Sequence, residues 1–428
     1  MNDFSIFQQV TYNLQSYKSI QSLIELYNNR KLKVIEIKDI SPTDFAKATL
    51  KRRGSQNRYF PSSEPITIAS YGPRFSIKGK KITYLDWQFN YLVHSSSGPA
   101  LFDIRFKNKR IAYEISLQEA SSFYATGEPY LKSVDSTWFL GIATSLIKGI
   151  DCPHHSIMLD VTLYMNFKVK VVKNAICVFE QNPSVPLRRH HHAGAKESYR
   201  YGGMADASLV VRYVTDMFYY DYIHDFIFHQ NGAMEVKTTT TGHLNLSPYY
   251  SQNNAKYGYE VIDNFFGGIH DHFMLFKVDL DILGTKNTFK TIDVTVKKFA
   301  DPWDPYPTFK KFLTHNKRKS ESNATIKYDF DKPKYYIVYN ENEKNKYENV
   351  RGYRILSKGN VKQIYPDDHA GTRATEWSKY QLSVSKYKDT ERYGSCMFNF
   401  YQQYRNPSCS FDARIKDNEN IENEDLVA

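Results

Sequence analysis

Two histidines one residue apart, His270 and His272, open the stretch His270-Asp271-His272-Phe273-Met274-Leu275-Phe276. On a strand, side chains at i and i+2 share a face and sit ~6.6–6.8 Å apart along it, so two imidazoles there converge on one metal ion. Imidazole suits copper, zinc, iron or nickel, and two nitrogens leave such a site short of its usual complement. Asp279-Leu280-Asp281 repeats the spacing with carboxylates. Two oxygens on one face, with the intervening carbonyl, suit a hard cation such as calcium. Exposed strand faces carry both patterns too, so neither decides alone.

The aromatic run Met217-Phe218-Tyr219-Tyr220-Asp221-Tyr222 reads first as ordinary strand packing. Cys152 and Cys177 flank a loop whose closure would contribute roughly 3 kcal/mol by restricting the unfolded chain, although spacing alone establishes no pairing. Cys396 and Cys409 stand equally open between bridged and reduced. His190-His191-His192, after Arg188-Arg189, reads as a solvated basic loop before it reads as part of a site.

Elements must hold these residues in place. With 41% hydrophobic and 15% aromatic residues, the 428-residue chain has the material for a sizeable core and is not a disordered one. The net charge of +11 suits an acidic partner. Its basic residues are scattered, however, clustering only at Lys51-Arg52-Arg53, Arg188-Arg189 and Lys317-Arg318-Lys319, which favours solvated surface over nucleic-acid binding. No apolar run approaches the ~18 residues of a membrane span, and the start, MNDFSIFQQV, lacks a basic region followed by an apolar one, so no signal peptide or membrane anchor is expected in this stretch. Asn245-Leu246-Ser247 and Asn323-Ala324-Thr325 satisfy the pattern for N-glycosylation.

Ile20, Leu23, Ile24 and Tyr27 recur with helical spacing, capped by Ser19 and ended by Asn28-Asn29, and Lys33–Ile37 alternates as a strand. Residues 1–40 thus read as the C-terminal part of a small α/β domain, and 41–62, rich in Pro, Ser, Gly and charge, as a linker. From 63 to 428 short Tyr-, Phe-, Val-, Ile- and Thr-rich segments alternate with turn residues, the signature of an all-β antiparallel sandwich. Hairpins are expected around Lys107-Asn108-Lys109 and Asn231-Gly232.

Several segments together resemble the copper- and topaquinone-dependent amine oxidase family. They are Leu101–Phe106, Tyr113–Glu119, Gly149-Ile150-Asp151-Cys152-Pro153, Cys177–Asn182, Pro186–His191 and Phe276–Asp281, in order and spacing across nearly the whole chain. The resemblance implies a large antiparallel β-sandwich catalytic domain, usually in a homodimer, preceded by small α/β domains. It also implies that the chain begins partway through the last small domain and stops before the family's third copper histidine.

What the resemblance implies chemically maps onto this sequence. Tyr220, in Asp216-Met217-Phe218-Tyr219-Tyr220-Asp221, matches the tyrosine that copper and oxygen convert to the quinone. The quinone carbonyl condenses with a primary amine, a carboxylate base removes the Cα proton, and aldehyde, ammonia and hydrogen peroxide follow. Asp135 matches that base and Tyr124 the tyrosine that orients the cofactor. His270 and His272 match two copper ligands. Asp279, Leu280 (through its carbonyl), Asp281, Asp425 and Leu426 match a calcium site, and Glu321, Ile415, Asp417 and Glu419 a second one. Cys152 and Cys177 match a disulfide, which with the family's habit implies a secreted or extracellular protein.

Two departures stand against this pattern. Tyr219 occupies the family's asparagine position and Asp216 its threonine position. With the third histidine missing, they keep open a second reading: a catalytically inactive homologue acting as a binding or dimerisation module.

Overall fold

A computed structural model describes residues 10–12, 15–17, 19–32, 66–125, 140–165, 167–190, 203–217, 219–248, 256–262, 265–300, 302–303, 306, 308–359, 361–369, 372–373, 375–391 and 410–428. The expected strand at Lys33–Ile37, the linker 41–62, His191, His192, Cys396 and Cys409 lie outside the described residues.

The N-terminal helix runs Ile20–Asn28, and the Ser19 side chain accepts from the Ser22 N–H, satisfying a donor that the first helical turn leaves free. Beyond it the described chain is mostly antiparallel strands. One sheet has eight, in the order Ser385–Lys386, Leu426–Val427, His270–Leu280, Lys109–Tyr124, Gly98–Phe106, Trp87–His94, Lys81–Tyr84, Phe75–Lys78. A five-stranded sheet has the order Met234–Gly242, Tyr220–His229, Ser208–Met217, Lys168–Gln181, Ile157–Met165. A four-stranded sheet is built from Thr308–Arg318, Thr288–Phe299, Lys334–Lys344 and Val350–Ile355.

Both predicted hairpins form. Lys107 and Asn108 take φ of 51° and 62°, the left-handed pair whose twist suits a two-residue hairpin turn. Gly232 has φ of 90°, and a Cβ there would stand 2.9 Å from the Phe106 ring, so both conformation and space call for glycine.

One hydrophobic cluster joins all three sheets, taking in Phe89, Ile104 and Ile115 from the first, Val178, Tyr213 and Phe228 from the second, and Phe289 and Val338 from the third. Phe89 and Phe228 stack at 4.1 Å, and the Trp87 indole N–H donates to the His229 carbonyl at 2.8 Å. Each such fully buried side chain contributes roughly 1.5–3 kcal/mol.

Burial along Trp87–His94 alternates as a strand with one covered face should. From Ser116 to Tyr124 every residue is buried, because a second layer covers the outer face. There Phe123, Phe273 and Trp377 cluster, and the Trp377 indole N–H donates to Glu119 at 2.7 Å. That strand and its neighbour His270–Leu280 are thereby clamped between two layers.

Candidate active site

The clamped strands carry half the site. His270 pairs in register with Tyr124, and His272 with Ser122, so the two imidazoles emerge on one face as their spacing predicts. The Tyr124 and His270 rings stack at 4.5 Å. The other half comes from the five-stranded sheet, where Tyr220 and Tyr222 share a face of their strand.

The Tyr220 hydroxyl is bonded on three sides. Tyr124 donates to it at 2.9 Å, and the Asn245 backbone N–H donates at 3.3 Å. With both lone pairs occupied, the phenol proton is directed at His270 Nε2, 3.2 Å away. His270 Nδ1–H in turn donates to the Gly268 carbonyl at 2.8 Å, which fixes the tautomer with the lone pair on Nε2.

His272 Nδ1 lies 2.7 Å from the Tyr222 hydroxyl, and its buried Nε2 has no partner. When Nδ1–H donates to Tyr222, Nε2 keeps its lone pair. Two ring nitrogens oriented by second partners, one of them a buried orphan, are what a metal ligated by imidazole requires. Burial, with His270 adding to it, pulls the His272 pKa down to about 4, so the ring is neutral and ready to ligate at ordinary pH. The residues fit copper as a ligand pair. Among the described residues, no third His, Cys, Asp or Glu ligand atom joins them within 4.8 Å.

Asn245 follows three residues after Gly242, the register partner of Tyr220. Gly242 has φ of 105°, and a Cβ there would come within 2.3 Å of the Tyr219 carbonyl. That carbonyl accepts from the His243 N–H. Asp216 stands directly across from Asp221, whose pKa is raised, first by burial and then by this like charge. Asp135 lies outside the described residues.

At the opposite end of the histidine strand, Asp279, Asp281 and Asp425 converge with one ligand oxygen from each within 4.8 Å of the others. Leu280 and Leu426 are register partners beside them. A register shift between Asp279 and Leu280 marks a bulge, the device by which a strand re-aims side chains. Burial and the neighbouring Asp425 push the Asp279 pKa up to about 7, and burial and Asp281 bring Asp425 to about 6. Arg110 pairs with Asp281 at 2.7 Å, yet Oδ1 of Asp281 and Oδ1 of Asp425 remain buried without partners. Such orphaned oxygens fit a hard cation.

Glu321, Asp417 and Glu419 form a second group within 4.8 Å. Burial, together with Asp417, pushes Glu321 up to about 7. Lys388 lies 2.5 Å from both Asp417 and Glu419. Cys152 and Cys177 are joined, with Cα atoms 6.5 Å apart.

Sequence reasoning missed Tyr222, Asn245, Arg110 and Lys388. Only Tyr222 left a signal, its two-residue offset from Tyr220 on one strand. The others arrive from segments that touch the site only after folding.

The chain matches the copper amine oxidase enzyme domain over residues 76–428. It is 33% identical to the diamine oxidase of Mus musculus over 437 residues, covering 98% of this chain and 58% of that protein. To the liver isozyme of primary amine oxidase from Bos taurus it is 34% identical over 427 residues, covering 98% of this chain and 54% of the other. The crystal structure of Aspergillus nidulans amine oxidase superposes with a TM-score of 0.82 at 27% identity, over 98% of this chain and 56% of that one. The chain thus spans a little over half the length of its relatives. With two sheets meeting at Tyr220 and the paired histidines, and with residues 76–428 of the chain matching the enzyme domain, the chain belongs to the copper amine oxidase family.

Proposed function

We propose that this chain carries the catalytic centre of a copper- and quinone-dependent oxidase that converts primary amines and oxygen to aldehyde, ammonia and hydrogen peroxide. The observation that supports it most is the Tyr220 hydroxyl, held by Tyr124 and Asn245 and directed at His270 beside the orphaned Nε2 of His272.

His270 and His272 would hold copper through Nε2. When bound there, copper would supply with oxygen the oxidising power to convert Tyr220 to topaquinone, whose carbonyl would serve as the electron sink for the amine. Tyr124 orients the ring by its hydrogen bond, and burial raises its own phenol pKa, so it stays a donor at any working pH. The Asn245 N–H is a second fixed donor to the same oxygen. Asp135 is the proposed base for the substrate Cα proton, on the match of Ser133-Val134-Asp135 to the family pattern.

Calcium is assigned to Asp279, Leu280, Asp281, Asp425 and Leu426, and a second ion to Glu321, Ile415, Asp417 and Glu419, both as structural ties. The working unit is a homodimer, and the Cys152–Cys177 bond supports an oxidising, extracellular setting. A second reading, an inactive homologue serving as a binding or dimerisation module, is favoured by Tyr219 in place of asparagine. Peroxide release from benzylamine by copper-loaded protein separates the two. Release that disappears in Tyr220→Phe supports the oxidase, and none from the wild type favours the module.

A further inference from the structure

Two Asn-x-Ser/Thr motifs remain outside the proposed chemistry, and their surroundings differ. We propose that Asn323 carries an N-linked oligosaccharide and that Asn245 carries none.

Asn323 lies in the one-turn helix Glu321–Ala324 and is exposed. Its Nδ2 donates to the Ser320 hydroxyl at 3.2 Å, a bond between exposed groups. An attached sugar replaces one of the two amide hydrogens and leaves the other for that bond, so the folded chain accommodates the product.

In the transfer step the amide nitrogen bonds to C1 of an oligosaccharide activated on a polyprenyl diphosphate. The C1–O bond breaks with its electron pair leaving on the diphosphate, and the amide proton passes to a base. The threonine hydroxyl that completes the acceptor motif is engaged in the folded chain, with Thr325 Oγ1 2.9 Å from both the Glu321 carbonyl and the Ser383 hydroxyl. Transfer therefore precedes the pairing of Thr325–Lys327 with Tyr380–Ser383. A Cys152–Cys177 bond accords with the kind of oxidising compartment where this transfer occurs.

Asn245 fails on both counts. It is half-buried, it is followed by the buried Leu246, and its own backbone N–H is bonded to the Tyr220 hydroxyl at 3.3 Å, so a sugar there would stand at the proposed active site. Its motif also continues into Pro248, which restricts Ser247 to extended conformations even before folding and disfavours the compact turn of an acceptor.

The test is peptide mapping of the full chain, secreted by a eukaryotic host behind an added signal sequence, after an amidase releases N-glycans in heavy-oxygen water. The expected result is heavy aspartate at 323, unchanged asparagine at 245, and an electrophoretic shift in N323Q equal to one oligosaccharide, with the Cys152–Cys177 bond intact in both proteins. Unmodified Asn323 in protein whose Cys152–Cys177 bond is oxidised would overturn the proposal, as would an occupied Asn245.

Discussion

Tyr220 and His270 come from different sheets, yet the phenol oxygen stands 3.2 Å from Nε2 of the imidazole. The contact is one link in a chain that runs from Tyr124 through Tyr220 and His270 to the Gly268 carbonyl. Each member has its orientation set by the next, so a fault at one link is felt at Tyr220.

Tyr124→Phe removes the donor that orients the Tyr220 ring while leaving its stacking on His270. A lost hydrogen bond of about 1–1.5 kcal/mol corresponds to roughly tenfold. Copper-loaded Tyr124→Phe should therefore release peroxide from benzylamine about tenfold more slowly, with a changed cofactor absorption band. An unchanged rate and spectrum would remove Tyr124 from its orienting role.

Tyr222 holds Nδ1 of His272 at 2.7 Å and so presents Nε2. Second partners of this kind are worth roughly 10–100-fold in metal affinity. In competition with a chelator of known copper affinity, Tyr222→Phe should fall in that range and His272→Ala below it. Equal copper affinity in wild type and both variants would mean the ion binds elsewhere.

How far this site was legible depended on whether its residues are local. The helix at Ile20–Asn28 and the turns at Lys107-Asn108 and Asn231-Gly232 were readable because their signals lie within a few residues. His270 and His272 were readable as a pair because a strand has period two. The stretch Ser116–Tyr124 showed no alternation, since Trp377 and Phe273 cover the face that would otherwise be polar. Asp425 joins Asp279 only through pairing of strands far apart in sequence, so its place was reached by family resemblance and not by spacing. Asn245 was invisible because its backbone, not its side chain, meets Tyr220.

Removal of calcium should destabilise the fold at the edge where Leu426–Val427 joins the histidine strand. A ligand at 100 times its dissociation constant adds about 2.7 kcal/mol to folded stability. Chelator-treated protein should melt several degrees lower than calcium-replete protein, and the difference should vanish in Asp281→Asn/Asp425→Asn. A melting point indifferent to calcium would rule out a structural ion there.

His224 gives a pH dependence whose sign is fixed. It is fully buried, with Nδ1 bonded to the Thr238 hydroxyl at 3.0 Å, and burial lowers its pKa to about 3. The unfolded chain takes up a proton near the ordinary histidine value of 6.5 that the folded chain refuses, so stability is fully present well above 6.5 and is lost as pH falls. Between pH 6.5 and 5 the loss should be about 2 kcal/mol. Urea titrations of metal-free His224→Phe should show a shallower decline over this interval than wild type. Parallel declines would mean that His224 titrates alike in both states.

The most direct measurement is the mass of the peptide containing Tyr220, taken after purified protein has been incubated with copper in air. A copper-free sample and Tyr220→Phe serve as controls. The expected result is a copper-dependent gain matching the quinone, at Tyr220 alone, and labelling of that residue by phenylhydrazine despite Tyr219 beside it. An unmodified Tyr220 in protein that holds copper on His270 and His272 would contradict the oxidase and leave the binding module.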